Sequence, residues 1–148
     1  MPTASIKKII PCNKKDLFKM ILDIEKYPEF VPWCLNGKII KKIDRVDLIE
    51  IEADLTVGKG FLNQTYKSHV TYYKDKDKIM VSNIGGPLKY LKNEWQIKEV
   101  NNNSEVSFMI NFEIKNIFYN MLMTRSFDKG LKNIADAFEK RAIELFNK

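Results

Sequence analysis

The sequence predicts an α+β fold in which a curved antiparallel sheet of about seven strands grips a long C-terminal helix, with two short helices after the first strand. Three observations predict it. Leu131, Ile134, Phe138, Ala142 and Leu145 step by three or four, the period of one helix face, and Phe118 and Leu122 carry apolar character back to about Asn116. Ile49, Ile51, Ala53, Leu55 and Val57 alternate with Glu50, Glu52 and Asp54, so that strand has a dry face and a wet one and belongs to an antiparallel sheet. Strand-like segments follow one another through short polar turns, and helical patterns are confined to the start and the end.

Taken in order, Ala4 to Ile10 reads as the first strand, ended by Pro11. Asn13 caps a helix whose buried face is Leu17, Phe18, Met20, Ile21 and Ile24, with Asp16 placing negative charge near its positive end. Tyr27-Pro28 is expected to stop that helix, and Glu29 to Trp33 to form a short turn closed by Pro32. Strands follow around Lys38 to Ile43, over Leu48 to Val57 and over Phe61 to Tyr73, with Gly58 and Gly60 marking a bend. Asp75 to Lys78 is a charged turn, Ile79 to Asn83 a short strand, and Gly85-Gly86-Pro87 the strongest breaker in the chain. Leu88 to Val100 and a last strand carrying Val106, Phe108, Ile110, Phe112 and Ile114 flank a polar Asn101-Asn102-Asn103 turn. The final helix, Asn116 to Phe146, has no proline, sets Lys132, Asp136, Lys140 and Glu144 opposite its apolar stripe, and would be on the order of 45 Å long. A helix with so narrow a stripe either simply covers the sheet or, with it, encloses a pocket for an apolar ligand.

The 148 residues, 45% of them hydrophobic, suit a single domain spanning 1–148 with a sizeable core. No apolar run approaches the roughly 20 residues of a membrane span, and Met1 to Lys8 lacks the apolar segment of a secretory signal, so cytoplasm is expected. Cys12 and Cys34, without Cys-x-x-Cys spacing and with a single histidine, argue against a structural zinc site and against a disulfide. The net charge of +6, mostly lysine, either keeps the protein in solution or favours an anionic partner: membrane headgroups or ribosomal RNA. A DNA partner is not expected.

Phosphate-binding glycine loops, dinucleotide fingerprints and nucleophile elbows are absent from the sequence. His69 shares a face with Thr65, Lys67 and Thr71, expected to be wet, and no general-base partner is evident. Glu50, Glu52 and Asp54 read as a solvated face. The stretch from Tyr27 to Cys34, with Tyr, Phe and Trp in a helix-breaking loop, is too apolar for an exposed connection. Its rings either pack under the sheet edge or line the mouth of a cavity, where an apolar body with a polar tip suits a wet–dry boundary. The Gly86-Pro87-Leu88 turn is placed to face it, and Tyr66 and Asn63 are candidates to orient a ligand headgroup. Arg125 lies in the first half of the long helix. Gly130, a turn later, costs about 1 kcal/mol relative to alanine, tolerated for close packing or for close approach of a ligand.

These residues carry a resemblance. Phe18, the block Asp23-Ile24-Glu25-Lys26-Tyr27-Pro28-Glu29-Phe30-Val31-Pro32-Trp33-Cys34, the run from Gly85 to Trp95, Phe112-Glu113 and Asp136 to Ala142 resemble the coenzyme Q-binding START-like family. That family is a branch of the polyketide cyclase and lipid-transport superfamily; mitochondrial ubiquinone-binding proteins and the bacterial ribosome association toxins (RatA) belong to it. Leu88 stands where the family carries phenylalanine after its Gly-Pro pair. The resemblance implies a helix-grip fold with a hydrophobic tunnel between sheet and helix, a polyprenyl quinone such as ubiquinone as ligand, and no catalysis and no catalytic cofactor. The residues expected along the tunnel and its mouth are Tyr27, Phe30, Val31, Pro32, Trp33, Tyr66, Pro87, Leu88, Trp95, Phe112, Leu122 and Arg125. Two functions follow as expectations: a ubiquinone carrier supporting respiration, with peripheral contact at the inner face of the cell membrane, or a translation regulator on the large ribosomal subunit. An aromatase/cyclase-like enzyme, the third, would need acid/base groups converging in the tunnel.

Overall fold

The computed structural model describes residues 3–32, 34–59, 62–84, 88–114 and 127–146. Its strands are β1 (Thr3–Ile10), β2 (Cys34–Asp44), β3 (Leu48–Lys59), β4 (Leu62–Tyr73), β5 (Lys78–Ile84), β6 (Leu88–Val100) and β7 (Asn103–Ile114). They form one sheet in the order β1-β7-β6-β5-β4-β3-β2, antiparallel throughout. The helices are α1 (Lys14–Leu22), a 3-10 helix (Ile24–Glu29) and α2 (Phe127–Phe146). This is the helix-grip arrangement, with α2 held against the curved face of the sheet.

Strand order explains where the two short helices sit. β1 pairs with β7 at one edge while β2 forms the other, so the chain must cross the sheet between its first two strands. α1 and the 3-10 helix make that crossing. Asn13 starts α1: its Oδ1 accepts the Asp16 N–H at 2.8 Å, and its Nδ2 donates to the Asp16 carboxylate at 2.9 Å. Leu17, Phe18, Met20 and Ile21 enter the core, and the Phe18 ring stacks on Tyr72 of β4 with centroids 4.4 Å apart.

α1 ends at Leu22, well before the Tyr27-Pro28 stop expected from the sequence, and the separate turn lies at Ile24–Glu29 rather than Glu29 to Trp33. Asp23 leaves helical geometry (ψ 67°), and the chain re-forms as a 3-10 helix that sends Ile24 into the core. Pro28 is tolerated inside it because a fresh turn begins there. The Tyr27 carbonyl accepts the N–H of Phe30 and of Val31, so Pro28 sits at a first-turn position that needs no donor. Gly37 of β2 lets the sheet edge pass beneath: a Cβ there would lie 2.5 Å from the Ile24 carbonyl oxygen.

The hairpin turns follow the sequence closely. Val100↔Asn103 closes a two-residue β6–β7 turn with Asn101 and Asn102 at φ 53° and 68°, the left-handed region that asparagine tolerates. Ile51, Ala53 and Leu55 are buried as the alternation predicts. Two expectations are corrected. Thr71, placed on the wet face, is only 7% exposed, because it lies on a central strand between its cross-strand neighbours Glu50 and Met80. Leu145 is 45% exposed. The helical period carries the stripe from Phe138 and Ala142 to Phe146, which packs against the core instead. The expected beginning of the long helix, from Asn116, lies outside the described residues.

Candidate functional site

The concave face and α2 meet at an aromatic cluster. Phe138, 2% exposed, projects from α2 and is met edge-on by Tyr27 at 5.6 Å, Phe30 at 5.1 Å and Trp95 of β6 at 5.1 Å. Trp95 in turn meets Phe108 of β7 at 4.6 Å. The Tyr27 hydroxyl donates to the Ile21 carbonyl, which ties the ring to the end of α1. Burial pushes the Tyr27 and Tyr66 phenols far above their ordinary range, so both stay neutral donors. Val31 and Pro32 are half-buried, and Val31 packs against the core.

Ion pairs fasten α2 on both flanks. Lys8 of β1 reaches Asp136 at 2.7 Å and Glu139 at 3.4 Å. Arg141 donates through Nη2 to Glu29 at 2.8 Å while its guanidinium lies 5.2 Å over the Phe30 ring. The Arg141 hydrogen bond holds the Glu29 carboxyl below its ordinary range, and the Lys8 hydrogen bond does the same to Asp136. Between β1, β6, β7 and α2 remains an apolar gap of about 20 Å³, bordered by Ile6, Ile10, Trp95, Phe108, Ile134 and Phe138 among others. That is room for about one water in a place with no polar partner for it. Of the Tyr27–Cys34 stretch, the Tyr27 and Phe30 rings pack against Phe138.

Of the expected lining, Tyr27, Phe30, Val31, Tyr66 and Trp95 are brought to or against the core, and Pro32 is half-buried. Trp33, Pro87, Leu122 and Arg125 lie outside the described residues, as do the side chains of Asn63, Leu88 and Phe112. His69 pairs across the sheet with Glu52 and Ser82 on the opposite, convex face. Among the described residues no three His, Cys, Asp or Glu side chains cluster as metal ligands, and Cys12 and Cys34 are free and buried. No helix among them is long and apolar enough to cross a membrane.

Residues 10–139 match the family described as polyketide cyclase / dehydrase and lipid transport. The chain belongs to this family. Within it, the chain is 32% identical over 141 residues to the ribosome association toxin RatA of Rickettsia prowazekii, covering 93% of this chain and 94% of that one. It is 31% identical over 147 residues to the mitochondrial coenzyme Q-binding protein COQ10 of Dictyostelium discoideum, covering 97% of this chain and 70% of the relative. A START superfamily protein from Mycobacterium smegmatis superposes with a TM-score of 0.80 at 16% identity, over 97% of this chain and 98% of that one, which shows the shared fold.

Sequence reasoning left out several residues on the concave face. Phe138 and Phe108 were visible only as core positions, since periodicity assigns a face and not a neighbour. Ser68 and Asn93 were missed altogether. Alternation from Val70 and from Trp95 puts both on the dry face, a signal that was in the sequence.

Proposed function

We propose that this protein is a non-catalytic carrier that holds a polyprenyl quinone of the ubiquinone type between the concave face of the sheet and the C-terminal helix, and supports respiration by doing so. The observation that carries the reading is the concave face itself. Ile51, Ala53, Leu55, Val70, Ile79, Trp95 and Ile97 present buried apolar surface from four adjacent strands. Among the described side chains, α2 meets it with Phe138 and Ala142 fully buried and Ile134 and Phe146 partly so. The likeness to a coenzyme Q-binding protein over nearly the whole chain supports the same ligand class. Tyr27, Phe30 and Trp95, packed on Phe138, are proposed to close one end of the ligand space with Val31, Pro32 and Tyr66, and Trp33, Pro87, Leu88, Phe112, Leu122 and Arg125 to complete the tunnel and mouth. The carrier works in the cytoplasm and visits the inner face of the membrane to exchange its cargo, its net charge of +6 favouring anionic headgroups.

Native mass spectrometry of the purified protein, with solvent extraction of what it carries, tests this directly. A quinone adduct is expected, together with quenching of tryptophan emission on titration with short-tailed ubiquinone. Protein that never carries quinone and whose emission is unmoved by it would end the reading. A second reading, action on the large ribosomal subunit, is favoured by the likeness to a ribosome association toxin over 94% of that protein's length. Sucrose gradients decide it: added protein should deplete whole ribosomes in favour of separate subunits, and unchanged profiles count against it.

A further inference from the structure

Three strands of the concave face carry polar side chains in the middle of an apolar surface. Ser68 of β4 lies directly across from Asn83 of β5, and Asn93 of β6 lies across from Val81, two residues further along β5. The β5–β6 ladder runs from Lys78↔Gln96 to Ser82↔Lys92; just beyond it the Leu91 N–H donates to the Asn83 side chain, at 2.7 Å. So the polar group gathers where main-chain pairing between β5 and β6 gives way to side-chain pairing, at the middle of the sheet.

Two of these groups are buried without a partner. Ser68 is 0% exposed and Asn93 8%, and neither Ser68 Oγ nor Asn93 Oδ1 has a hydrogen bond. Native proteins leave few such atoms, because an unmade buried hydrogen bond costs the full desolvation of the group. Leucine or valine at Asn93 and alanine at Ser68 would remove that cost and keep the face apolar. Retaining two such atoms on the surface that receives the ligand fits a role in recognising it. A carbonyl oxygen accepts and never donates, so its missing partner is a donor; a serine hydroxyl serves either way.

We propose that Asn93 and Ser68 form the polar floor of the ligand chamber and select the hydroquinone over the quinone, the ring hydroxyl donating to Asn93 Oδ1. This rests on the carrier reading and sharpens it. A quinone carbonyl can accept from Asn93 Nδ2 or from the Ser68 hydroxyl, but only the reduced ring supplies a donor for Asn93 Oδ1, the buried atom left without one. The preference equals one neutral hydrogen bond, about three- to tenfold in affinity.

The test is anaerobic titration of the full chain with short-tailed ubiquinol and ubiquinone, followed by tryptophan emission, to which Trp95, two residues from Asn93, contributes. Wild type is expected to bind ubiquinol about three- to tenfold more tightly. Asn93→Leu should equalise the two and raise the melting temperature, and Ser68→Ala should weaken both forms without perturbing the fold. If wild type binds the two forms equally, or prefers the quinone, the selection is wrong while the carrier reading stands. Retention of the preference in a folded Asn93→Leu protein overturns the selection in the same way. If neither form binds wild type, the carrier reading fails and takes this inference with it.

Discussion

Replacing Phe138 with alanine tests whether the aromatic cluster is the mechanical link between α2 and the sheet. Phe138 is 2% exposed and meets three rings, Tyr27, Phe30 and Trp95, at 5.1 to 5.6 Å between centroids. Deleting a buried phenylalanine costs about 3–5 kcal/mol, the transfer of the lost atoms plus the cavity left behind. The upper half of that range applies here. A gap of about 20 Å³ already adjoins the ring, and β6 and β7 are held in a ladder that cannot collapse into the space. For a chain of this size each kcal/mol lowers the melting temperature by roughly 2–4 °C, so a drop of about 10 °C or more is expected. Circular dichroism melts of wild type and Phe138→Ala measure it. The enlarged cavity, still apolar, should also take up benzene or xenon, as dry engineered cavities do. A loss under about 3 °C would refute the reasoning, because it would mean that α2 is held by its ion pairs rather than by this ring.

Other perturbations address single contacts. Gly37→Ala drives a Cβ to within 2.5 Å of the Ile24 carbonyl oxygen, backbone that cannot yield cheaply, so a loss of about 1–3 kcal/mol is expected by urea denaturation; an unchanged midpoint would contradict the close approach. Glu29 has its folded-state pKa depressed below the ordinary 4.5, first by the Arg141 hydrogen bond, so its stabilisation is present above that value and fades as pH falls through the depressed one. The melting-temperature gap between wild type and Glu29→Gln should therefore be constant above the ordinary carboxylate value and close as pH falls through the depressed one; a gap that widens in acid would reverse the sign. Cys12, its thiol pushed up to about 11 chiefly by burial and then by Asp16, should resist a thiol reagent at pH 8 until the protein unfolds, and rapid labelling of native protein would show the site to be open.

The sheet was legible because its physics is local. Alternation in β3, the asparagine turn between β6 and β7 and the Asn13 cap are each decided by residues within a few positions of one another. What failed was decided at a distance. Pro28 stops a helix in isolation, yet here α1 had already ended at Leu22, since the chain must turn to cross the sheet and bring Ile24 into the core and past Gly37. Thr71 reads as wet by alternation, but on a central strand its long neighbours cover it. Leu145 and Phe146 are one residue apart on a helix, and which of them faces inward depends on where Phe138 and Ala142 have fixed the stripe.

The candidate site shows the same division, with a chemical reason added. An aromatic in a breaker loop announces itself, so Tyr27 and Phe30 stand out in the sequence, and the structure places both rings against Phe138. Ser68 and Asn93 are small polar residues of the kind that fill turns and exposed faces, and composition marks them as ordinary. Their meaning appears only when burial and the absence of a hydrogen bond are known together, which requires the strands on either side to be in place. Asn83 makes the contrast. It stands on the same face, but its Oδ1 meets the Leu91 N–H and serves the fold by closing the place where β5 and β6 part. A residue whose polar atom is satisfied by its own backbone explains itself. On one apolar face, then, the split between satisfied Asn83 Oδ1 and unsatisfied Asn93 Oδ1 separates an amide the fold requires from one it merely carries, and the carried one is where the proposed ligand's hydroxyl would donate.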